Sequence, residues 1–215
     1  MPRLRPVLLP ALWILVILAS MRWLDRPLAT WLHQHPDSGG LFRDGTLLAD
    51  APAPLACLTL LLLAWRVRAA PLSPRARALL AAALATLIAL AAKEQLKVLC
   101  GRTWPETWID HNPSWIANGV FTFAPLHGGP GWSSFPSGHA TAISAPMAVA
   151  WQAAPRLRLL WLLPVLVVCI GLLGADYHWL SDIEAGLGLG LLTARLTWHF
   201  LHASIPSRPT AKDPG

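Results

Sequence analysis

Charge is what this 215-residue chain has least of: Asp, Glu, Lys and Arg make up only 13% of it, against 54% hydrophobic residues. Mean hydropathy is +0.47. So few charges exclude an ordinary soluble domain of this size. Cysteine is scarce as well, with Cys57, Cys100 and Cys169 at no paired spacing, which excludes a disulfide framework and a thiolate metal site. No run of Lys or Arg with interleaved aromatics occurs, so the net charge of +6 does not point to nucleic acid. Internal repeats and low-complexity blocks are lacking too. No cofactor and no metal are expected.

What the chain does have is apolar runs of helical length, at roughly 7–22, 46–65, 78–97, 139–154, 159–175 and 183–201. Each is near, or slightly short of, the ~17–25 residues that cross a bilayer. The expected fold is all-α: a six-transmembrane-helix bundle forming one domain over residues 1–204, with a disordered tail at 205–215 and a long outer loop between the third and fourth helices. The first run follows Arg3 and Arg5 but lacks a convincing small-residue cleavage site, so it reads as a retained helix.

The basic residues Arg3, Arg5, Arg66, Arg68, Arg75, Arg77, Arg156, Arg158, Arg208 and Lys212 fall at one side of this bundle, and most acidic residues at the other. By the positive-inside rule both termini are cytoplasmic. Most of the twelve tryptophans fall at the ends of the runs. Trp65, Trp151, Trp161 and Trp198 are expected at the inner interface, and Trp23, Trp31, Trp104, Trp108, Trp132 and Trp179 at the outer one. Gly186, Gly188 and Gly190 have the look of a dinucleotide fingerprint, yet they lie within an apolar run with no strand before it. Close helix packing is the expected role.

The loop at 100–135 is long, polar and aromatic and leads into Pro136-Ser137-Gly138-His139, which opens the fourth helix. A helix start offers unpaired N–H groups and the positive end of a dipole, so it binds an anion without side-chain charge. Ser137 and nearby amides are expected to cradle a phosphate beside His139, although Ser137 also reads as a simple helix cap. His178 and Asp182, four apart, share a helical face, so the carboxylate can hold an imidazole N–H. Lys93 and Lys97 lie one turn apart at the end of the third helix, followed by Arg102. Three helix ends on one face thus carry groups suited to phosphoryl transfer.

These elements resemble the type 2 phosphatidic acid phosphatases, which share a fold with vanadium-dependent haloperoxidases. That pattern is Lys-x6-Arg-Pro, Pro-Ser-Gly-His, then Ser-Arg-x5-His-x3-Asp. Here it is met by Lys97 and Pro105, by residues 136–139 in full, and by His178 and Asp182. The resemblance implies a metal-independent phosphatase in which His178 attacks phosphorus, Asp182 orients it and His139 serves the leaving group and then water. Lys97, Ser137 and the Gly138 amide would hold the phosphoryl oxygens. The sequence departs from the pattern where Trp104 and Gly171-Leu172 stand in place of Arg and Ser-Arg. Arg102 is the leading substitute ligand, with Lys93, His127 and Trp104 as secondary candidates; Trp104, Trp108, Trp115 and Trp132 would wall the head group.

The expected partner is a lipid phosphate or diphosphate, such as undecaprenyl diphosphate, phosphatidylglycerol phosphate, phosphatidic acid or a lipid A phosphate, at a periplasmic site in a bacterial inner membrane. Alternatives are a lipid phosphotransferase using a lipid diphosphate donor and a non-catalytic phospholipid-binding relative. A vanadate haloperoxidase fits less well, since the chain is membrane-embedded and its anion site poor in positive charge. The sequence does not choose among the substrates or fix an oligomeric state.

Overall fold

A computed structural model describes residues 5–36, 39–68, 71–108 and 111–203, which fold as helices with isolated bridges and no strand among them. In chain order the α-helices are α1 (Arg5–Ala19), α2 (Asp25–Gln34), α3 (Leu41–Thr46), α4 (Pro52–Arg66), α5 (Pro74–Cys100), α6 (Trp115–Asn118), α7 (Gly138–Ala153), α8 (Arg158–Gly174) and α9 (Leu180–Ala203). The tail expected at 205–215, and the charges at Arg3, Asp37, Asp110, Arg208, Lys212 and Asp213, lie outside the described residues.

Four helical runs are long and apolar enough to cross a membrane: Leu8–Gln34, Leu41–Arg66, Pro74–Cys100 and Pro155–Gly174. The first is longer than the expected 7–22, because a π-helical turn at Ser20–Leu24 carries α1 into α2 without a break. Similarly, the second starts at α3, since a 3-10 turn at Leu47–Ala49 bridges most of the gap to α4. Expected spans four and six form helices, α7 and α9, that are not among these four. Length and composition explain the difference: α7 has only 16 residues, and Asp182, Glu184, Arg195 and three glycines interrupt the apolar character of α9.

Helices α5, α7 and α9 pack closely on one another and form the centre. Their contacts use alanine: Ala81, Ala85, Ala89, Ala145 and Ala194 are buried together with Val149. Small side chains bring backbones close, the usual solution where lipid supplies no hydrophobic drive between helices. The glycines of α9 take this furthest. A Cβ on Gly186 would lie 2.6 Å from the Ser137 carbonyl oxygen, one on Gly190 2.0 Å from Ser144 Oγ, and one on Gly188 2.5 Å from Trp13 Nε1. They fix α7 on one face of α9 and α1 on another, as the sequence implies.

The outer helices show the opposite pattern. Leu12, Leu15, Leu61 and Leu159 are each more than half exposed. Whole faces of exposed leucine match a hydrocarbon surround and are otherwise an aggregation hazard. Trp23, Trp31 and Trp65 are also exposed. Trp179 departs from the expected interfacial belt: it is fully buried, with its indole N–H donated to the Thr103 carbonyl at 2.7 Å.

The connection between α5 and α7 is not a slack loop. Gly101, at φ 58°, ends α5 in the left-handed conformation, and a Cβ there would collide with the Ala124 carbonyl oxygen at 1.9 Å. The chain then doubles back through backbone bonds from Thr103 N to Thr122 O, Ala124 N to Gly101 O and Leu126 N to Val98 O. Arg102 is carried inward by this fold.

Candidate active site

A cleft of about 630 Å3 opens where the ends of α5, α7 and the α8–α9 turn converge, lined among others by Asp50, Lys93, Lys97, Trp104, Trp108, Gly138, His139, Tyr177 and His178. Lys93 and Lys97 reach it from one face of α5, as a spacing of four requires. Lys93 Nζ pairs with Glu94 Oε1 at 2.5 Å. Gly138 leaves room for that ammonium group, since a Cβ there would lie 3.0 Å from Lys93 Nζ. Two ammonium groups and the N-terminus of the 16-residue helix α7 therefore face one space.

Ser137 is placed differently from the expected cradle. Its Oγ accepts from Ala140 N at 3.4 Å, its own N–H donates to the Asp182 carbonyl at 3.0 Å, and the residue is fully buried. It caps α7 and ties that helix to α9, beneath the cleft floor. His139, next in line, does reach the cleft, half-exposed, with Nε2 3.7 Å from Asp50 Oδ1.

His178 occupies the turn before α9 and is 5% exposed. Its Nδ1 lies 3.4 Å from Asp182 Oδ2, which leaves Nε2 as the nitrogen for the cleft. The Trp104 ring leans on the imidazole at 5.0 Å between centroids. Burial pushes the His178 pKa down, and the Asp182 carboxylate only partly opposes this. A histidine held neutral keeps a free lone pair, which a nucleophile needs.

Behind His178 lies a dry network. Asp182 is fully buried; its Oδ1 accepts from Arg102 Nη1, and its Oδ2 accepts from Ser134 Oγ and, at 3.3 Å, from Trp179 N. Arg102, 1% exposed, also donates to Ser181 Oγ at 2.7 Å and to Asp25 Oδ2 at 2.6 Å. Asp25 closes the circuit by accepting from Ser181 N at 3.0 Å. Phe121, Phe123, Phe135 and Trp179 surround the guanidinium at 4.9–6.0 Å from their ring centres. The hydrogen bonds of Arg102 thus go from Nη1 and Nη2 to Asp182, Ser181 and Asp25, and the residue does not line the cleft where a phosphate ligand was expected.

The structure therefore brings Lys93, Lys97, Trp104, Gly138, His139 and His178 to one cleft, with Asp182 and Arg102 directly behind it. It does not bring in His127, an exposed residue whose ring is tilted against Trp132 at 4.4 Å between centroids. Leu172, at the position of the second pattern arginine, is a fully buried core side chain beside Val168 and Ile183. Sequence reasoning missed Asp25, Asp50, Ser134 and Ser181. An acidic residue such as Asp25 inside an apolar helical run is a signal in itself, because an intramembrane carboxylate is retained only where something pairs with it.

Comparison with known proteins gives the family. The family profile of the PAP2 superfamily matches residues 78–206, and the chain belongs to that superfamily. Among curated proteins it is similar to the Lipid A 1-phosphatase of Rhizobium johnstonii, 32% identical over 102 residues that make up 47% of this chain and 39% of the relative. The Lipid A 1-phosphatase of Rhizobium etli is 33% identical over 103 residues, 46% of this chain and 41% of the relative. The matched region is thus about two fifths of each relative's length. No solved structure matches the chain significantly.

Proposed function

We propose that this chain is a membrane phosphatase that hydrolyses a lipid phosphate or diphosphate through a phosphohistidine on His178. The reading rests above all on one observation: a buried histidine, backed by Asp182, shares an open cleft with Lys93, Lys97, His139 and the start of α7. In the first step His178 Nε2 attacks phosphorus, the bond to the lipid oxygen breaks, and His139 supplies the proton that the departing oxygen takes. In the second, His139 removes a proton from water, whose oxygen attacks phosphorus and releases inorganic phosphate and neutral His178. The two lysines and the Gly138 amide stabilise the equatorial oxygens, so these two steps route no bond through a metal.

Arg102 acts in this scheme by holding Asp182 in place, not by touching phosphate; Ser137 acts by fixing the start of α7. The substrate we place first is a lipid A phosphate, since both curated relatives are named Lipid A 1-phosphatases. We further propose six membrane crossings, α7 and α9 supplying the two shielded ones, in a bacterial inner membrane with cytoplasmic termini and a periplasmic cleft. Purified protein should release phosphate from a lipid A phosphate with no divalent metal added, and His178→Ala and His139→Ala should each abolish release. Full activity in both variants would overturn the mechanism.

A second reading has its own support. Trp104 and Leu172 stand where the family pattern has arginine, which favours a relative that binds a phospholipid head group without turnover. Binding of a lipid phosphate with no release from any of the four lipid classes would decide for it. If an acceptor alcohol replaces water in the second step, phosphate appears on a new lipid and not in solution.

A further inference from the structure

Beside the cleft, on the far side of Trp108 and Tyr177, three ligand-type side chains from separate parts of the chain meet. His33 comes from α2, Glu106 from the α5–α7 connection, and Asp176 from the turn that carries His178. His33 Nδ1 lies 3.1 Å from Glu106 Oε2 and 3.1 Å from Asp176 Oδ2, and one donor atom from each residue falls within 4.8 Å of the other two. Neighbouring ligand atoms around a six-coordinate ion with bonds of about 2.2 Å stand roughly 3.1 Å apart, which the two spacings from His33 match, the third lying within the same 4.8 Å.

The second observation is Asp176 itself. The residue is 9% exposed, and its Oδ1 is buried without any hydrogen-bond partner. Covalent geometry keeps that oxygen next to Oδ2, which points at His33. A buried carboxylate oxygen left unpaired costs free energy unless something positive engages it. Burial raises the Asp176 pKa; His33 opposes that, and the nearby Glu106 carboxylate adds to it. The cluster is short of positive charge.

We propose that His33, Glu106 and Asp176 bind a divalent transition-metal ion, zinc or manganese, Asp176 offering both oxygens. One imidazole and two carboxylates are a donor set for such ions, whereas an all-oxygen shell would favour calcium or magnesium. His33, 46% exposed, gives the ion an entry path from solvent. The ion ties α2 and the α5–α7 connection to the turn bearing the nucleophile, through Trp108, whose Nε1 donates to the Asp176 carbonyl at 3.2 Å. It also cancels two negative charges near the place where an anionic head group would enter. That effect on substrate rests on the phosphatase reading; ion binding does not.

The test is equilibrium dialysis of the full-length, detergent-solubilised, chelator-stripped protein against zinc and against manganese, with bound metal counted by mass spectrometry. The wild type should hold one equivalent, and His33→Ala, Glu106→Gln and Asp176→Asn should each weaken it on the order of 100-fold, with His202→Ala unchanged. Cobalt substitution should give visible d–d bands that His33→Ala abolishes. Because His33 is half-exposed, its variant keeps the test decisive even if Asp176→Asn fails to fold. Equal metal content in wild type and His33→Ala, or none in either, would overturn the site whatever the phosphate-release assays show.

Discussion

The two sides of His178 are built on different terms. On one side Asp182, Arg102, Asp25, Ser134 and Ser181 bond to one another in a closed circuit, sealed by aromatic rings. On the other, Lys93, Lys97 and His139 face a cleft of about 630 Å3 with few bonds among them. A saturated network cannot take up a ligand, while an unsaturated one invites it. The first side fixes where the imidazole points, and the second decides what it meets.

That contrast breaks most severely at Arg102. Removing it in Arg102→Ala strands Asp25 and Asp182 as buried unpaired carboxylates, a loss of about 3–5 kcal/mol, to be read as a lowered thermal midpoint or as absence of folded protein from the membrane fraction. An unchanged midpoint would mean that the network is not saturated as described. On the cleft side Lys97→Ala should do the reverse, leaving the midpoint alone and lowering kcat/KM by about 1.5–3 kcal/mol, the worth of a charge-assisted hydrogen bond. Lys93→Ala should follow it more weakly, because Glu94 already engages that ammonium group. Equal loss of stability in the lysine variants would erase the distinction between the two sides.

Smaller effects sharpen the comparison. Gly186→Val drives a side chain into the Ser137 carbonyl and should cost about 1–3 kcal/mol of stability as overpacking, with activity falling because α7 and α9 separate. Activity kept at the wild-type level would show that the spacing of His139 and His178 tolerates slack. The pH profile of phosphohistidine formation gives the finest test. A His178 pKa held below its ordinary 6.5 by burial keeps the attacking nitrogen unprotonated as pH falls, so the acid limb should lie below 6.5. A limb above that value would mean that Asp182 outweighs burial.

Much of this was legible in the chain because the governing signals are local. The apolar runs, Pro136-Ser137-Gly138-His139 and the four-residue step from His178 to Asp182 each predict a helix end and its cargo, and Gly138, His139 and His178 reach one cleft with Ser137 and Asp182 buried behind it. Arg102 was misread for a physical reason. Counting along the sequence put it two residues from a pattern position, but the fold-back after Gly101 turns its side chain inward onto Asp25, Ser181 and Asp182, the nearest of them 77 residues away. Ser137 was read both as cradle and as cap, and burial favours the cap. The His33, Glu106 and Asp176 cluster was invisible, since no spacing links its members.

The two pattern positions without arginine differ in how they could be refilled. Position 172 is walled by Val168 and Ile183, while its neighbour Gly171 sits so near α3 that a Cβ would lie 2.5 Å from the Phe42 carbonyl oxygen. A guanidinium there would demand demolition of the interior. Position 104 opens on the cleft, where an arginine would displace only an indole. Of the two positions Trp104→Arg is thus the accessible entry for engineering toward stronger anion affinity, and the chain as it stands has there an aromatic lid leaning on His178.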